Sequence, residues 1–212
     1  MPFVTVSRMF GAHGSEVAAR VARALGWSLF DNELVDAIAA RSGMSPVEVE
    51  QHEEKIPSLG ERIAIALSRG SADAVPPFAT PVIEGPEEQI VSATRRVIQE
   101  AIRAGPAVFV GRGAQCLLAE RTDALHVFCY APQQLLVEST MRAHALDARE
   151  AAKLVTETNQ RRRQYVRRHW ERDWLAPESY HLCLNTGWLG VECAAELAVR
   201  AAQSAFGLEP AA

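Results

Sequence analysis

Lysine is nearly missing from this chain: of its 22 basic residues only Lys55 and Lys153 are lysines, and the rest are arginine. Cysteine is sparse as well. Cys116, Cys129, Cys183 and Cys193 form no C-x-x-C pair, which excludes the common zinc-binding and thioredoxin-like spacings. Three of them lie in apolar strand or helix contexts, which suits reduced, buried thiols in a cytosol. No apolar run approaches the roughly 20 residues of a membrane span. No basic segment precedes the first apolar run at Phe3, so no secretory leader is expected and a cytoplasmic location is. The net charge of −4 argues against a general nucleic-acid binder. Internal repeats and low-complexity tracts are absent.

With 212 residues, 48% hydrophobic and 23% charged, the chain has the make-up of one large domain, or one with an insertion, around a sizeable core. The stretch around which it is organised is Phe3 to Leu25. Phe3-Val4-Thr5-Val6 is an apolar, β-branched run of the kind a buried parallel strand requires. The loop Ser7–Gly14 holds two glycines, and Val17, Ala18, Val21, Ala22 and Leu25 then recur at helical spacing before Gly26. Strand, glycine loop and helix in that order aim backbone N–H groups and a helix dipole at an anion, most often a phosphate. The consensus G-x-x-x-x-G-K-[ST] is not met. With Gly14 as its second glycine, Met9 replaces the first, Ser15 the lysine and Glu16 the hydroxyl residue.

Further along, Trp27–Phe30 reads as a second strand ending at Asp31, and Leu34, Val35, Ile38 and Ala39 mark an amphipathic helix. Ser45-Pro46-Val47-Glu48 is a capping box with proline at the first helical position. Another helix is expected over Leu59–Ser68, and a Gly/Pro/Ser/Ala-rich loop over Arg69–Pro86. Apolar spacing predicts a helix over Glu87–Ala104, then a third strand at Ala107–Val110 that ends in the second glycine loop, Gly111-Arg112-Gly113. A fourth strand is expected at Leu125–Tyr130, a helix at Gln133–His144, and a long helix opened by the capping box Asp147–Glu150. Tyr180–Leu184 reads as the fifth strand and Val191–Phe206 as a closing helix. Five short apolar strands separated by helices imply an α/β domain with a mostly parallel sheet, whose ligands bind beyond the carboxyl ends of the strands. The region from about 37 to 104 exceeds a simple crossover and is expected to be a helical insertion.

Two arginine features carry chemistry. Arg112 stands between two glycines at a strand end, a position suited to meeting an anion or a carboxylate. Six arginines fall between Arg161 and Arg172, and Arg161, Tyr165, Arg168 and Arg172 share one helical face. Guanidinium forks suit bidentate phosphate recognition.

Taken together, Ser7-Arg8-Met9-Phe10-Gly11 with Gly14-Ser15-Glu16, Leu25-Gly26-Trp27, Phe30-Asp31-Asn32-Glu33-Leu34, Val110-Gly111-Arg112-Gly113-Ala114, Arg161–Arg163 with Tyr165, Arg167-Arg168 and Asp173-Trp174, and Tyr180–Thr186 resemble the cytidylate kinase-like family. That family is a branch of the P-loop nucleoside monophosphate kinases. The likeness spans almost the whole chain and is weakest between Gln51 and Gly85.

The resemblance implies a five-stranded parallel sheet flanked by helices, a helical monophosphate-binding insertion at about 37–104 and an arginine-rich lid at about 158–178. It implies that Arg8, Phe10, Gly11, Ala12, His13, Gly14, Ser15 and Glu16 hold the phosphates of ATP, with Glu16 on the Mg²⁺ ion. It places Arg112 on the acceptor phosphate, Asp31 at the acceptor or catalytic site, and Arg161, Arg162, Arg167 and Arg168 in the lid as catalytic charges. The family commonly carries arginine at the place of Ser15, and orthodox monophosphate kinases carry lysine there. Gly113 stands where orthodox cytidylate kinases have an aspartate. Three readings follow: an ATP-dependent nucleoside monophosphate kinase, a nucleotide-binding pseudokinase that lost its loop cation at Ser15, and a nucleic-acid binder through Arg161–Arg172. The expected partners are nucleotides. No membrane partner is expected, and nucleic acid is disfavoured by the acidic remainder.

Overall fold

The fold is described from a computed structural model, for residues 1–31 and 86–209. Five strands, β1 (Phe3–Arg8), β2 (Ser28–Phe30), β3 (Ala107–Val110), β4 (Ala124–Tyr130) and β5 (Leu182–Asn185), form one sheet in the order β2-β3-β1-β4-β5. Every pairing is parallel, and β1 at the centre sets Phe3 opposite both Ala107 and Ala124. The central strands are buried on both faces, which is why they read as continuous apolar runs rather than alternating ones.

Helices α1 (Gly14–Leu25), α2 (Pro86–Ala104), α3 (Ala114–Leu117), α4 (Gln133–His144), α5 (Ala148–Trp170) and α6 (Thr186–Phe206) cover the two faces. Alternation along the strands sorts the core into layers. Phe3, Phe109 and Ala107 pack on Ile90, Val97 and Ile98 of α2. Val4, Val6, Val108 and Val127 pack on Val17 and Val21 of α1 and on Ala194, Ala198 and Ala202 of α6. Each fully buried valine or leucine in these layers contributes roughly 1.5–3 kcal/mol. None of the described helices is long and apolar enough to cross a membrane.

The expectations hold for β1 to β4 and for most helices, with shifts of a residue or two. Gly26 ends α1 in the left-handed conformation. The capping box that opens α5 is complete: the Glu150 N–H donates to the Asp147 carboxylate at 2.8 Å and the Asp147 N–H to the Glu150 carboxylate at 3.2 Å. Of the expected insertion, only α2 lies within the described residues. The capping box at Ser45, the helix at Leu59–Ser68 and most of the Arg69–Pro86 loop lie outside them.

Three local readings change. β5 starts at Leu182 instead of Tyr180, because Pro177 opens a 3-10 turn over Pro177–Ser179. That turn swings Tyr180 inward, where its ring stacks on Phe128 with centroids 4.9 Å apart. The last helix begins at Thr186, capped by the Asn185 side chain, and breaks at Gly190 before the expected stretch from Val191. Finally, α5 stops at Trp170 with Glu171 in the left-handed region, so Arg172 lies past the helix and shares no helical face with Arg161.

Candidate phosphate-binding site

Five residues, Met9–His13, connect β1 to α1 at the carboxyl edge of the sheet. His13 is the N-cap residue, in the left-handed conformation (φ 54°), and its side chain makes no capping hydrogen bond to the first turn. The N–H groups of Gly14, Ser15 and Glu16 therefore have no partner within the helix, and they share the positive end of its dipole.

The loop is pinned from outside. The Phe10 N–H donates to Asn159 Oδ1 at 2.8 Å, and Arg162 donates to the Arg8 carbonyl at 2.9 Å. The Thr186 hydroxyl donates to the Ala12 carbonyl at 2.8 Å. Gly11 lies so close to α4 that a Cβ there would come within 2.6 Å of the Leu136 carbonyl oxygen. His13 is held at both ring nitrogens: Nδ1 is 2.6 Å from Glu16 Oε1, and Nε2 is 2.8 Å from Ser139 Oγ. In this arrangement neither nitrogen is aimed at a phosphate. Ser15 brings no charge.

A second loop follows β3. Gly111, Arg112 and Gly113 all take positive φ (69°, 54° and 68°), a run of three left-handed residues. Four described non-glycine residues have positive φ, of which Ala145 and Glu171 terminate helices; the other two, His13 and Arg112, lie at this edge. A left-handed arginine costs on the order of 1–2 kcal/mol, so other contacts must hold it there. Its side chain is buried.

The space at both flanking glycines is taken. A Cβ on Gly111 would overlap the Arg8 guanidinium, and one on Gly113 would overlap the Trp170 indole. Arg8, Arg112 and Arg162 thereby converge on one cavity of about 10 Å³, lined also by Ser7, Gln115 and Trp174. That is room for about one water. The Asp31 carboxylate lies 3.9 Å from the Arg8 guanidinium. An edge of this kind, with helix N–H groups on one loop and converging guanidiniums on the next, is a place for phosphates.

The sequence matches the family model described as "Cytidylate kinase-like family" over residues 3–187. The chain belongs to this family.

Among solved structures, an uncharacterised protein from Eubacterium ventriosum is similar with a TM-score of 0.68 at 16% identity, covering 96% of this chain and 99% of the other. Shikimate kinase from Bacteroides thetaiotaomicron reaches 0.51 at 14% identity, with 98% and 99% covered. TT1252 from Thermus thermophilus reaches 0.51 at 19% identity, with 96% of each covered. These likenesses establish the fold. No curated protein is detectably similar in sequence. Family membership supports nucleotide-dependent phosphoryl transfer as the general chemistry.

Against the family's pattern, the expected residues separate into two groups. Arg8, Phe10, Gly11, Ala12, His13, Gly14, Ser15, Glu16, Asp31, Arg112 and Arg162 gather at the sheet edge. Arg161 pairs instead with Glu157 at 3.2 Å, and Arg167 and Arg168 are exposed. Arg163 and Arg172 pair with Asp173 at 2.9 Å and Glu120 at 3.3 Å, and Arg163 holds the Asp173 carboxyl below its usual range. Much of the cluster's charge is thus offset locally.

Burial pushes the Cys116 thiol up to about 11 and Cys129 to about 12, which leaves both inert as nucleophiles at neutral pH. Cys183 and Cys193 are exposed, at variance with the expectation of buried thiols. Burial, with His181 stacked beside it, lowers His126 to about 4. Among the described residues no group of three or more His, Cys, Asp or Glu side chains could hold a metal ion.

Sequence reasoning missed Asn159, Ser139 and Gln115 as parts of this edge. Asn159 alone carried a local signal, lying three residues before Arg162 and so on the same helical face.

Proposed function

We propose that this protein is a kinase that transfers the terminal phosphoryl group of ATP to a nucleoside monophosphate. The observation that carries this reading is the uncapped N-terminus of α1 lying on the same sheet edge as the buried, left-handed Arg112. In this reading the loop from Arg8 to Glu16 takes the donor phosphates on its backbone N–H groups. Arg112, with Asp31 nearby, meets the acceptor phosphate. Arg162 is the lid charge nearest the reacting groups, and Arg161, Arg167 and Arg168 would join it when donor and acceptor are both bound. The lid is the segment 158–178, and the insertion at about 37–104 contributes the monophosphate-binding side.

A divalent ion such as Mg²⁺ would neutralise charge between the phosphates. Such an ion needs only one or two protein carboxylates, because phosphates and waters complete its shell. Among the described residues, Glu16 and Asp31 are carboxylates at this edge, and Glu16 would have to release His13 to serve. Phosphoryl transfer requires little covalent chemistry from the protein, mainly positioning and charge. Arginines delivered over the site supply that charge and exclude water.

Ser15 favours a second reading, a nucleotide-binding pseudokinase, because the position that carries a cation in relatives is neutral here. A coupled assay with Mg-ATP across the common ribo- and deoxyribonucleoside monophosphates separates the two. We expect slow turnover of at least one monophosphate. ATP binding without turnover of any acceptor would favour the pseudokinase, and absence of both would end either reading.

A further inference from the structure

Beneath the arginine cavity a single phenol oxygen joins elements that are far apart in sequence. The Tyr180 hydroxyl donates to the Trp174 carbonyl at 2.8 Å. The side chains of Ser7 and Gln115 lie within hydrogen-bonding reach of the same oxygen. A phenol has one proton to give and lone pairs to accept with, so it can accept from both while it donates to Trp174. Ser7 on β1 and Gln115 on α3 are both buried and line the cavity, whereas Tyr180 is buried and does not. Trp174 lines it from the other side, in the turn after α5. The Phe128 ring fixes both aromatics, edge-on to Trp174 at 5.4 Å and stacked on Tyr180 at 4.9 Å. Trp174, Ser7 and Gln115, all lining the cavity, therefore meet around one buried oxygen.

We infer that Tyr180 is a positioning residue that docks the turn after α5 over the arginine cavity and so sets affinity for the acceptor without touching it. This rests on the reading of Arg112, which lines that cavity, as the residue that meets the acceptor phosphate. The donor loop is held by Asn159, Arg162 and Thr186, none of which bonds to Tyr180, so the effect falls on one substrate. Losing the hydroxyl leaves the Trp174 carbonyl without its donor, which loosens the turn while the ring keeps its packing.

The test is Tyr180→Phe, which removes only the oxygen. Amide exchange across 172–176 in the free protein should quicken by about tenfold, the effect of losing one buried hydrogen bond. The acceptor KM should rise five- to tenfold, roughly in step, while the ATP KM and kcat stay within about twofold. Unchanged exchange together with an unchanged acceptor KM would overturn the inference. A parallel rise of both KM values would also overturn it, because that is general loosening. If Tyr180→Phe fails to fold, Ser7→Ala takes one donor from the same oxygen and should give the same pattern, smaller. If no monophosphate is turned over by the wild type, the acceptor reading fails, yet the exchange arm still decides the docking role. In that case inorganic phosphate should slow exchange across 172–176 in the wild type and not in Tyr180→Phe; equal slowing in both would contradict it.

Discussion

The loop after β1 and the loop after β3 lie side by side on one sheet edge and are built in opposite ways. The first offers backbone: an uncapped helix start, a neutral Ser15, and a histidine already engaged by Glu16 and Ser139. The second offers charge: a buried arginine forced into the left-handed region between two glycines. Arg8 links them, since it ends β1 yet rests its guanidinium against Gly111 and faces Asp31. In the proposed reading, backbone donors and cations are divided between these neighbouring loops, and the arginines of adjoining elements supply the charge that Ser15 does not.

The comparison can be broken most forcefully at Gly11. Its φ is 83°, and a Cβ added there would stand 2.6 Å from the Leu136 carbonyl oxygen, which leaves alanine no room against a rigid helix backbone. Gly11→Ala should cost about 3 kcal/mol in denaturant unfolding, summing left-handed strain and overpacking. Gly26→Ala, with φ 67° and nothing near its Cβ, should cost only about 1 kcal/mol. Equal losses would mean that the donor loop is not pinned against α4.

The second loop is probed by Arg112→Ala. If Arg112 meets the acceptor phosphate as proposed, removing that charged hydrogen-bonding partner, roughly 1.5–3 kcal/mol, should lower kcat/KM for the acceptor by tenfold or more. Steady-state kinetics on the folded variant would remove Arg112 from the site if kcat/KM were unchanged. The smallest effect sharpens the division itself. Ser15→Lys returns a cation to the first loop and should raise turnover by about tenfold, on the order of 1.4 kcal/mol. A slower Ser15→Lys enzyme would mean that the arginines of the adjoining elements already fill the charge requirement.

How much of this was legible in the sequence depends on the range of the interactions. β1 and α1 could be read because a continuous apolar run and a clean helical period are local signals. The capping box at Asp147 was equally plain. Tyr180 read as strand because tyrosine favours strands, and only the Pro177 turn and the buried contacts with Phe128 and Trp174 divert it. Six arginines within Arg161–Arg172 cover several faces, so sequence could not single out Arg162 as the one that enters the cavity. Ser139 reaches His13 across 126 residues, a contact that no local pattern announces, and the partner that Asn159 finds in Phe10 lies 149 residues away.

The central claim is that the loop from Arg8 to Glu16 binds nucleoside triphosphate on its backbone although Ser15 carries no charge. Calorimetric titration of the wild-type protein with ATP, with and without Mg²⁺, tests it directly. The account predicts one saturable site with submillimolar affinity. No heat of binding at millimolar ATP in either condition would contradict it.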